Sequence, residues 1–358
     1  MKLKTLLMLF AIALFAASCS DDATGPGKGP DNEPGDTDVN MSDYILISNI
    51  VTFTNKVNID VYSFDSDGGN QKLLFKNQTL IGRGNITKSF IFDNGYYEKN
   101  KPKQKIYQYD FASQEIGYTY NGADMVSFDA IPNSDNFLKY QVEDNFLKCY
   151  IYNDKGEQVA YLEGADNAEY VVCSNTGKYI FVKKDEYETY VYDLDGRSVS
   201  FSGSEGTIYS YTWHPKEEKL IYATKTKEAN TIIRTYNFES KESEELLTID
   251  YDATHGLSIS PDGTKIAFMD RNWNVKVMDS DGKNIQTLKM NNYPHFIDIY
   301  DITPVWSPDS KNIIVRDFSN GVESADYDVD MINIETGTIT PFLPNFQIKA
   351  LYRWVKVK

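Results

Sequence analysis

The sequence predicts an all-β protein, a β-propeller of seven four-stranded antiparallel blades, and three observations lead to this prediction. Short apolar strands alternate with Pro, Asp and Gly turns through most of the 358-residue chain. Strand and turn units recur along it. The residues that end their first strands are spaced by 42, 41, 46 and 47 positions, at Ala130, Val172, Trp213, Ile259 and Trp306. Periods of roughly 40–50 residues with four strands each are typical of propeller blades.

Residues 1–18 are predicted to be a signal peptide. Lys2 and Lys4 precede an apolar run from Leu6 to Ala17, which is too short to span a bilayer as a mature helix. The sequence Ala16-Ala17-Ser18-Cys19 then resembles the lipobox of bacterial lipoproteins. That resemblance implies cleavage before Cys19 and a lipid on its thiol. The alternatives are a transmembrane anchor and a soluble secreted protein with a free cysteine.

Residues 19–40 are predicted to be a lipidated cysteine followed by a flexible acidic tether. Ser20-Asp21-Asp22 resembles the export tag of Bacteroidetes-type lipoproteins, which implies the outer membrane with the protein facing the cell exterior. The periplasmic face of that membrane is the alternative, with the acids simply beginning a solvated linker. Residues 20–40 contain four Gly, three Pro and six acids, so they cannot bury enough apolar surface to offset the entropy of ordering.

The body of the chain, residues 41–358, keeps most of the negative charge. The whole sequence carries a formal net charge of −16, of which the leader contributes +2, the tether −5 and the body −13. A protein that follows nucleic-acid phosphates needs a basic face, so we expect no nucleic-acid partner. An apolar content of 41% and an aromatic content of 14% exclude a disordered chain.

Each repeat begins with a first strand, a turn and a second strand. Pro sets φ at the entry of such turns, and Asp or Gly tolerates the remaining dihedral angles. The copies, from clearest to weakest, are His255–Phe268, Thr303–Val315, Tyr211–Tyr222, Tyr170–Phe181, Val126–Leu138 and roughly Leu80–Phe92. Third strands, each with a Gly or polar turn after it, follow at Ile106–Asp110, Cys149–Gly156, Tyr190–Gly196, Thr231–Asn237, Val275–Gly282 and Asp328–Gly337. A fourth short strand completes each unit.

The two ends of the body are predicted to share one blade. Ala350–Trp354 reads as a first strand, and Tyr44–Ser48, Asn58–Phe64 and Lys72–Phe75 supply the second, third and fourth. Such pairing closes the ring and removes sheet edges that would otherwise aggregate. The count is seven blades of about 45 residues. Six blades are the alternative, because the copy near Leu80 is poor.

Two of these repeats resemble those of TolB-type propellers. The segments are Ile259-Ser-Pro-Asp-Gly-Thr-Lys-Ile-Ala-Phe268 and Trp306-Ser-Pro-Asp-Ser-Lys311. Phe268–Met278 also resembles the Arg-containing turn that joins second and third strands in that family. The resemblance implies the propeller fold and protein–protein work at the cell envelope. The motif specifies a blade rather than an activity, so function has to be argued from a site.

The sequence contains no catalytic motif, so we expect a protein that is not an enzyme. It lacks a Gly-x-Ser-x-Gly elbow, a P-loop, a His-Glu-x-x-His pair and EF-hand spacing. Cys149 and Cys173 fall on strands that are not neighbours and are predicted to be buried free thiols. The enzyme alternative is a propeller-based polysaccharide lyase or glycosidase, which requires His255, His295 and Arg271 near one another.

One end of the predicted ring gathers acidic loops. The loops that lead into first strands carry Asp124, Asp166, Asn167, Glu205, Asp252, Asp298 and Asp301. Carboxylates of this kind suit a hard cation such as Ca²⁺, and Asp252, Asp298 and Asp301 are the metal candidates. The alternative is that turn-forming residues recur in turns, so we expect no cofactor unless Ca²⁺ occupies this rim.

The same end receives the loops between second and third strands, and these carry aromatic residues. Exposed aromatic rings beside polar groups stack on sugars or anchor a protein partner. The candidate binding face comprises Tyr96, Tyr97, Arg271, Trp273, His255, His295, Asp298 and Tyr300. We therefore expect an outer-membrane lipoprotein, held to the membrane through Cys19, whose propeller binds a polysaccharide or an envelope protein. A purely structural scaffold module is a further alternative.

Overall fold

Strands dominate the computed structural model of the chain. It describes residues 39–53, 57–76, 78–83, 88–93, 97–98, 101–102, 105–121, 125–144, 146–184, 188–201, 206–226, 230–249, 255–289, 303–317, 328–342 and 348–358. These residues form seven four-stranded antiparallel sheets and one two-stranded sheet. A single 3₁₀ turn, Met41–Asp43, precedes the first strand. Within the same ranges, no helix has the length and apolar character needed to cross a membrane.

The four-stranded sheets are the blades of a propeller, and we number them from the start of the chain. Blade 1 contains β1 (Tyr44–Phe53), β2 (Val57–Phe64) and β3 (Lys72–Phe75), with β30 (Ile348–Lys356) as its first strand. Blade 2 contains β4 (Gln78–Arg83), β5 (Lys88–Asp93), β8 (Lys105–Asp110) and β9 (Glu115–Asn121). A small hairpin, β6 (Tyr97–Glu98) and β7 (Lys101–Pro102), lies between β5 and β8 in the chain.

The remaining blades each use four consecutive strands. Blade 3 has β10 (Met125–Ala130), β11 (Phe137–Glu143), β12 (Phe146–Tyr152) and β13 (Gln158–Tyr161). Blade 4 has β14 (Tyr170–Cys173), β15 (Tyr179–Lys183), β16 (Thr189–Asp193) and β17 (Ser198–Val199). Blade 5 has β18 (Thr207–Trp213), β19 (Lys219–Lys225), β20 (Thr231–Asn237) and β21 (Glu242–Ile249). Blade 6 has β22 (His255–Ile259), β23 (Lys265–Met269), β24 (Val275–Asp279) and β25 (Gln286–Lys289). Blade 7 has β26 (Val305–Trp306), β27 (Asn312–Asp317), β28 (Asp328–Asn333) and β29 (Ile339–Pro341).

The shared blade predicted from the two ends of the body is confirmed. Strand β1 pairs antiparallel with β30, from Tyr44 opposite Lys356 to Ile50 opposite Ile348. The first strands of blades 3, 5, 6 and 7 end at the predicted residues, and that of blade 4 ends one residue later, at Cys173. The poorest repeat copy forms β4 and β5 of a complete four-stranded sheet.

The core of the protein lies between the blades. Between blades 4 and 5, Phe181 packs with Trp213 and Tyr222, all three less than 2% exposed. Burying one large apolar side chain contributes about 1.5–3 kcal/mol, so these contacts supply much of the force that holds adjacent blades together. Cys149 and Cys173 are buried thiols outside any disulfide bond, as predicted.

The two ends of the ring differ in their connections, and we name them accordingly. The turn face is the end with the turns that join first to second and third to fourth strands. The loop face is the end with the loops that join second to third strands and that lead from one blade into the next. Antiparallel pairing within each blade fixes this division, since successive strands run in opposite directions.

Serine side chains stabilise the turns between first and second strands on the turn face. In blade 6, Ser260 Oγ accepts the backbone N–H of Lys265 at 2.9 Å and donates to Asp262 Oδ1 at 2.5 Å. Ser174 and Ser307 make the corresponding bonds in blades 4 and 7. Such side-chain bonds to the backbone fix the turn conformation locally.

Neighbouring turns also bond to one another around the turn face. Asn133 Nδ2 of blade 3 donates to the Asn175 carbonyl at 3.3 Å, and Asn175 Nδ2 of blade 4 donates to the Trp213 carbonyl of blade 5 at 3.1 Å. The Asp262 N–H of blade 6 donates to Ser310 Oγ of blade 7 at 3.1 Å. These bonds link turns of adjacent blades directly.

His214 takes the place of the turn serine in blade 5. Its Nδ1 accepts the backbone N–H groups of Glu217 at 3.0 Å and Lys216 at 3.3 Å. Burial lowers the pKa of His214 below its usual 6.5, against the opposing effects of Glu217 and of a hydrogen bond with the Gly263 backbone, while Lys219 lowers it further. A proton on Nδ1 would break both backbone bonds, so the neutral imidazole belongs to the folded state.

The His214 turn predicts a pH-dependent stability. As the pH falls through 6.5, the unfolded chain takes up a proton on His214 before the folded chain does. The stability that His214 contributes is therefore complete above that pH and is lost as the pH falls towards the folded pKa. Urea denaturation of the wild type and of His214→Ser, from about pH 8 to pH 5, measures this difference. Equal pH dependence of stability in the two proteins would contradict the role of neutral His214 in this turn.

A buried ion pair joins blades 6 and 7. Lys289 Nζ at the end of β25 lies 2.5 Å from Asp330 Oδ2 of β28, and the two side chains are 10% and 8% exposed. Gln286 Nε2 of β25 also donates to the Ile334 carbonyl of blade 7 at 3.3 Å. The outermost strand of blade 6 is thus joined to blade 7 by an ion pair and by a hydrogen bond to the backbone.

Candidate functional site

Half of the residues predicted for the binding face fall outside the described part of the chain, namely Tyr96, His295, Asp298 and Tyr300. The metal candidates Asp252 and Asp301 and the lipidation residue Cys19 also lie outside it. Asp124 and Glu205 of the acidic rim are outside it as well. The predictions for them remain predictions.

Two predicted site residues are described through their backbones only. His255 begins β22 opposite Met269, which places it at the loop face of blade 6, as the repeat register predicts. Tyr97 pairs with Pro102 in the β6–β7 hairpin, an addition between the second and third strands of blade 2. The sequence predicts a loop between these two strands, and part of it forms this short hairpin.

Arg271 and Trp273 occupy the turn between β23 and β24, and they differ in exposure. Arg271 is exposed at the loop face. Trp273 is only 7% exposed and packs among Ala267, Val275 and other core residues of blades 6 and 7. Its ring fills the space between blades, so the exposed aromatic expected here is instead a core residue. A ligand-binding face has to be built without it.

The described loop face presents its exposed apolar side chains on blade 3. Strands β11 and β12 form a hairpin whose tip carries Val142, 52% exposed, and Phe146, 48% exposed. Glu143 pairs with Phe146 across the hairpin, so their side chains share one surface. Phe146 is the aromatic ring most accessible to a ligand among the described residues of this hairpin.

A polar network fixes the carboxylate beside Phe146. Tyr150 Oη donates to Glu143 Oε2 at 2.6 Å, Lys148 Nζ lies 3.4 Å from the same oxygen, and Gln141 Nε2 donates to Oε1. The Tyr150 bond, ahead of Lys148, lowers the pKa of Glu143, so this carboxylate is ionised. Burial, followed by Glu143, raises the pKa of Tyr150 to about 12, which keeps the phenol protonated as a donor.

A second tyrosine–carboxylate pair lies next to the first. Tyr161 Oη donates to Asp166 Oδ1 at 2.5 Å, and burial together with this bond raises the pKa of Tyr161. The rings of Tyr150 and Tyr161 lie 5.1 Å apart, and Lys148 Nζ lies 5.8 Å from the Tyr161 ring centroid. We call the set Val142, Glu143, Phe146, Lys148, Tyr150, Tyr161 and Asp166 the blade 3 tip cluster.

Blade 4 adds a related group nearer the centre of the ring. Lys183 Nζ lies 3.0 Å from Glu169 Oε2 and 5.3 Å from the Tyr170 ring centroid. The Tyr170 ring in turn meets the Tyr211 ring of blade 5 edge-on at 6.4 Å. First strands line the inside of the ring, so Tyr170 and Tyr211 lie nearer its centre than the blade 3 tip cluster does. The same types of side chain, tyrosine, carboxylate and ammonium, therefore continue from that cluster towards the centre of the ring.

Sequence reasoning missed Phe146, although a signal for it exists. Asp144 adopts a positive φ of 52° in the tight turn between β11 and β12. The segment Val142-Glu-Asp-Asn-Phe146 puts apolar residues directly beside a turn of polar residues. A hairpin tip has no layer of structure above it, so apolar residues in such a position are expected to be exposed.

The acidic rim was also proposed to hold Ca²⁺. Of its described members, Asp166 accepts from Tyr161, and Asn167 Oδ1 caps the Leu147 N–H at 2.9 Å from a left-handed backbone conformation. Both therefore serve local turn structure. No three His, Cys, Asp or Glu side chains within the described ranges lie close enough together to hold a metal ion.

Comparisons with known proteins place the fold among solved propeller proteins. An oligogalacturonate lyase from Vibrio parahaemolyticus aligns with a TM-score of 0.58 and 12% identity, over 82% of this chain and 92% of that one. The periplasmic gluconolactonase of Pseudomonas aeruginosa aligns at 0.55 and 12% identity, over 88% and 100%. TolB from Acinetobacter baumannii aligns at 0.45 and 13% identity, over 86% and 64%.

These similarities concern the fold alone. At 12% identity, the lyase and the gluconolactonase show that other chains share this architecture, not that they share its chemistry. Searches against protein-family models and against curated proteins find no match. The function therefore has to be argued from the residues of this chain.

Proposed function

We propose that this propeller is an outer-membrane lipoprotein, anchored through Cys19 and facing the cell exterior, that binds a glycan non-covalently through its loop face. The blade 3 tip cluster carries the proposal. An exposed phenyl ring lies there beside an ionised carboxylate fixed by a tyrosine and a lysine. Sugars are bound by such combinations, since their C–H faces stack on rings and their hydroxyls bond to fixed carboxylates.

An envelope protein is the second candidate ligand, and one observation favours it. Val142 exposes a second apolar side chain at the hairpin tip, on the face opposite Phe146 because it pairs with Leu147, so the tip is more apolar than sugar binding requires. Apolar anchors near the centre of a surface are typical of protein interfaces. A catalytic role depends on His255 and His295, whose side chains lie outside the described part of the chain. The proposal therefore rests on the blade 3 tip cluster and is one of binding.

Cys19→Ala is expected to move the protein from the membrane fraction to the soluble fraction. The variant lacks the thiol that carries the lipid, and each buried acyl CH₂ contributes about 0.8 kcal/mol to membrane binding. Cell fractionation and incorporation of radiolabelled palmitate measure the two consequences separately. If the Cys19→Ala variant stays in the membrane fraction, the lipoprotein proposal is wrong.

Phe146→Ala is expected to weaken glycan binding about two- to tenfold, because a stacked aromatic ring contributes roughly 0.5–1.5 kcal/mol. Glu143→Gln, which keeps the shape of the side chain and removes its charge, is expected to weaken binding to a similar extent. A glycan array probed with the purified protein identifies the ligand, and titration of each variant gives the affinity. Ile285→Ala removes a comparably exposed apolar residue from blade 6, 43% exposed, and serves as the control.

The outcomes separate the candidate ligands. Loss of array binding in Phe146→Ala and Glu143→Gln, with Ile285→Ala unchanged, supports the glycan. An empty array together with a partner that crosslinks at Phe146 favours the envelope protein. Array binding that survives both loop-face substitutions excludes the blade 3 tip cluster as the site.

A further inference from the structure

The outer wall of the ring carries a pattern of exposed aliphatic residues that the loop-face site does not use. In four consecutive blades the first or second residue of the outermost strand is aliphatic and exposed. These residues are Ile339 of blade 7 (41% exposed), Leu73 of blade 1 (44%), Ile116 of blade 2 (59%) and Val159 of blade 3 (47%). We call them the aliphatic belt. Outermost strands begin at the turn face, so the belt lies on the half of the wall next to that face.

Three of the belt residues occupy equivalent positions in their blades. Leu73 pairs with Tyr62, which packs towards blade 7, and Ile116 pairs with Tyr109, which packs towards blade 1. Ile339 pairs with Ile332, whose cluster includes blade 6. These three side chains therefore lie on the side of their blades that faces the preceding blade. Val159, the second residue of β13, falls at a register shift of β13 against β12.

The other three blades have hydroxyl residues at this position. Ser198 pairs with Tyr192, Ser243 pairs with Tyr236, and Thr287 pairs with Lys276, and all three hydroxyl residues are exposed. The ring is thus divided into an aliphatic arc over blades 7, 1, 2 and 3 and a hydroxyl arc over blades 4, 5 and 6, with hydroxyl residues at this position. Among the described residues of the second arc, Ile285, directly before β25 of blade 6, is the exposed large aliphatic, at 43%. Isolated exposed aliphatics need no explanation, but four at the start of the outermost strands of adjacent blades make an organised surface.

The chain enters the ring in the middle of the aliphatic arc. The 3₁₀ turn Met41–Asp43 leads into β1 of blade 1 at the turn face, where the Val357 N–H donates to the Asp43 carbonyl at 2.8 Å. The predicted tether, residues 20–40, ends here. A flexible linker of this length has a root-mean-square span of roughly 25 Å, which Pro and like charges extend. Whatever surface carries Cys19 therefore lies close to the aliphatic belt.

We propose that the aliphatic belt docks against the bilayer surface in which Cys19 is anchored, a step that rests on the lipid anchor proposed above. Leu73 and Ile116, nearest the tether, enter the interfacial layer, with Ile339 and Val159 at the margins of the contact. Lys72 directly precedes Leu73 in β3, Lys76 follows the end of that strand, and both are exposed and can extend to the headgroups. The loop face lies at the other end of the ring and points away from the bilayer.

The charge on the hydroxyl arc agrees with this orientation. The outermost strand of blade 5 carries Glu242, Glu244 and Glu245, all exposed, and would be repelled by anionic headgroups. The body as a whole has a net charge of −13. Docking is therefore expected to be stronger on zwitterionic than on anionic lipid, in contrast to the usual polybasic membrane surface.

Fluorophores on introduced cysteines test the docking. Full-length lipidated protein carrying Leu73→Cys or Ile116→Cys is labelled and reconstituted on phosphatidylcholine vesicles that contain nitroxide lipids. Ser198→Cys and Ser243→Cys, at the matched positions of the hydroxyl arc, are the controls. Cys149 and Cys173 are buried and Cys19 is lipidated, so labelling is confined to the new thiols. We expect quenching at Leu73 and Ile116 to exceed quenching at the controls several-fold, and to fall when phosphatidylglycerol is added.

Vesicle sedimentation in the same samples separates the two proposals. Protein that sediments with vesicles but shows equal quenching at all four positions overturns the docking and leaves the anchor intact. Protein that stays in the supernatant overturns the anchor, and the docking with it. A belt label that is shielded without nitroxide quenching, in proportion to protein concentration, indicates a second copy of the chain on the belt and also overturns the docking.

Discussion

Replacing Gly177 with alanine is expected to lower the free energy of unfolding by about 3 kcal/mol, because the new side chain meets backbone rather than space. Gly177 lies in the turn after the first strand of blade 4 with a φ of +76°. A Cβ there would sit 1.8 Å from the Pro132 carbonyl oxygen of blade 3. Relief of that contact requires the two blades to move apart, so the strain falls on their interface.

Gly337→Ala isolates the backbone contribution. Gly337 has a similar φ of +68°, and a Cβ at this position would have no neighbour within 4 Å. Alanine in the left-handed region costs roughly 1–2 kcal/mol by itself. Urea denaturation gives the free energy of unfolding of both variants. The extra loss in Gly177→Ala over Gly337→Ala is due to the inter-blade contact. Equal destabilisation by the two substitutions would mean that blades 3 and 4 are not tightly apposed at Gly177.

Replacing Lys289 with methionine is expected to destabilise the protein by about 3–5 kcal/mol, since it leaves Asp330 buried without its partner. The two side chains are 10% and 8% exposed, so water cannot replace the lost ammonium without local opening. The double variant Lys289→Met/Asp330→Leu removes both charges and keeps the space filled. It is expected to recover most of the loss, because well-packed apolar residues often match a buried ion pair in stability.

The exposed pair Lys283–Asp281 is the control for the buried pair. Its side chains are 75% and 53% exposed in the turn after β24 of the same blade. Lys283→Met should leave the denaturation midpoint unchanged, since solvent screens a pair of this kind. If the double variant is as unstable as Lys289→Met alone, the instability of Lys289→Met does not come from the uncompensated charge of Asp330.

The fold was predictable because blades repeat their turn chemistry. Ser-Pro-Asp turns such as that beginning at Ser260 recur once per blade where they are present. Hydrogen bonds within the turn stabilise it, so its conformation does not depend on distant residues. Closure by β1 and β30 followed from the incomplete units at the two ends. Boundaries moved by one residue at Cys173, because strand ends depend on packing that the sequence does not display.

The binding face was less predictable, because exposure is set by neighbours. Trp273 and Phe146 both lie beside turns between second and third strands, yet Trp273 is 7% exposed and Phe146 is 48% exposed. The backbone at Trp273 turns into the left-handed region with a φ of 64°, and its ring packs in the cluster shared by blades 6 and 7. Neither the turn geometry nor the facing blade can be read from local composition.

The aliphatic belt depends on register in the same way. Leu73, Ile116 and Ile339 look like ordinary strand residues in the sequence. Their equivalence emerges only when each is matched to its partner on the third strand. Hydroxyl residues at the matched positions of blades 4 to 6 become informative by the same comparison.

The blade shared by the two ends of the body has a consequence for how the protein folds. Tyr44 and Lys356, which pair in it, are about 300 residues apart in sequence. Closing so long a loop is entropically costly, and proteins dominated by such distant contacts fold slowly. Blades 2 to 7 can form from local hairpins, but the ring cannot close until β30 is available. Until then the β1 edge of blade 1 has no partner strand and is open to other chains, so the last step of folding is the one most exposed to aggregation.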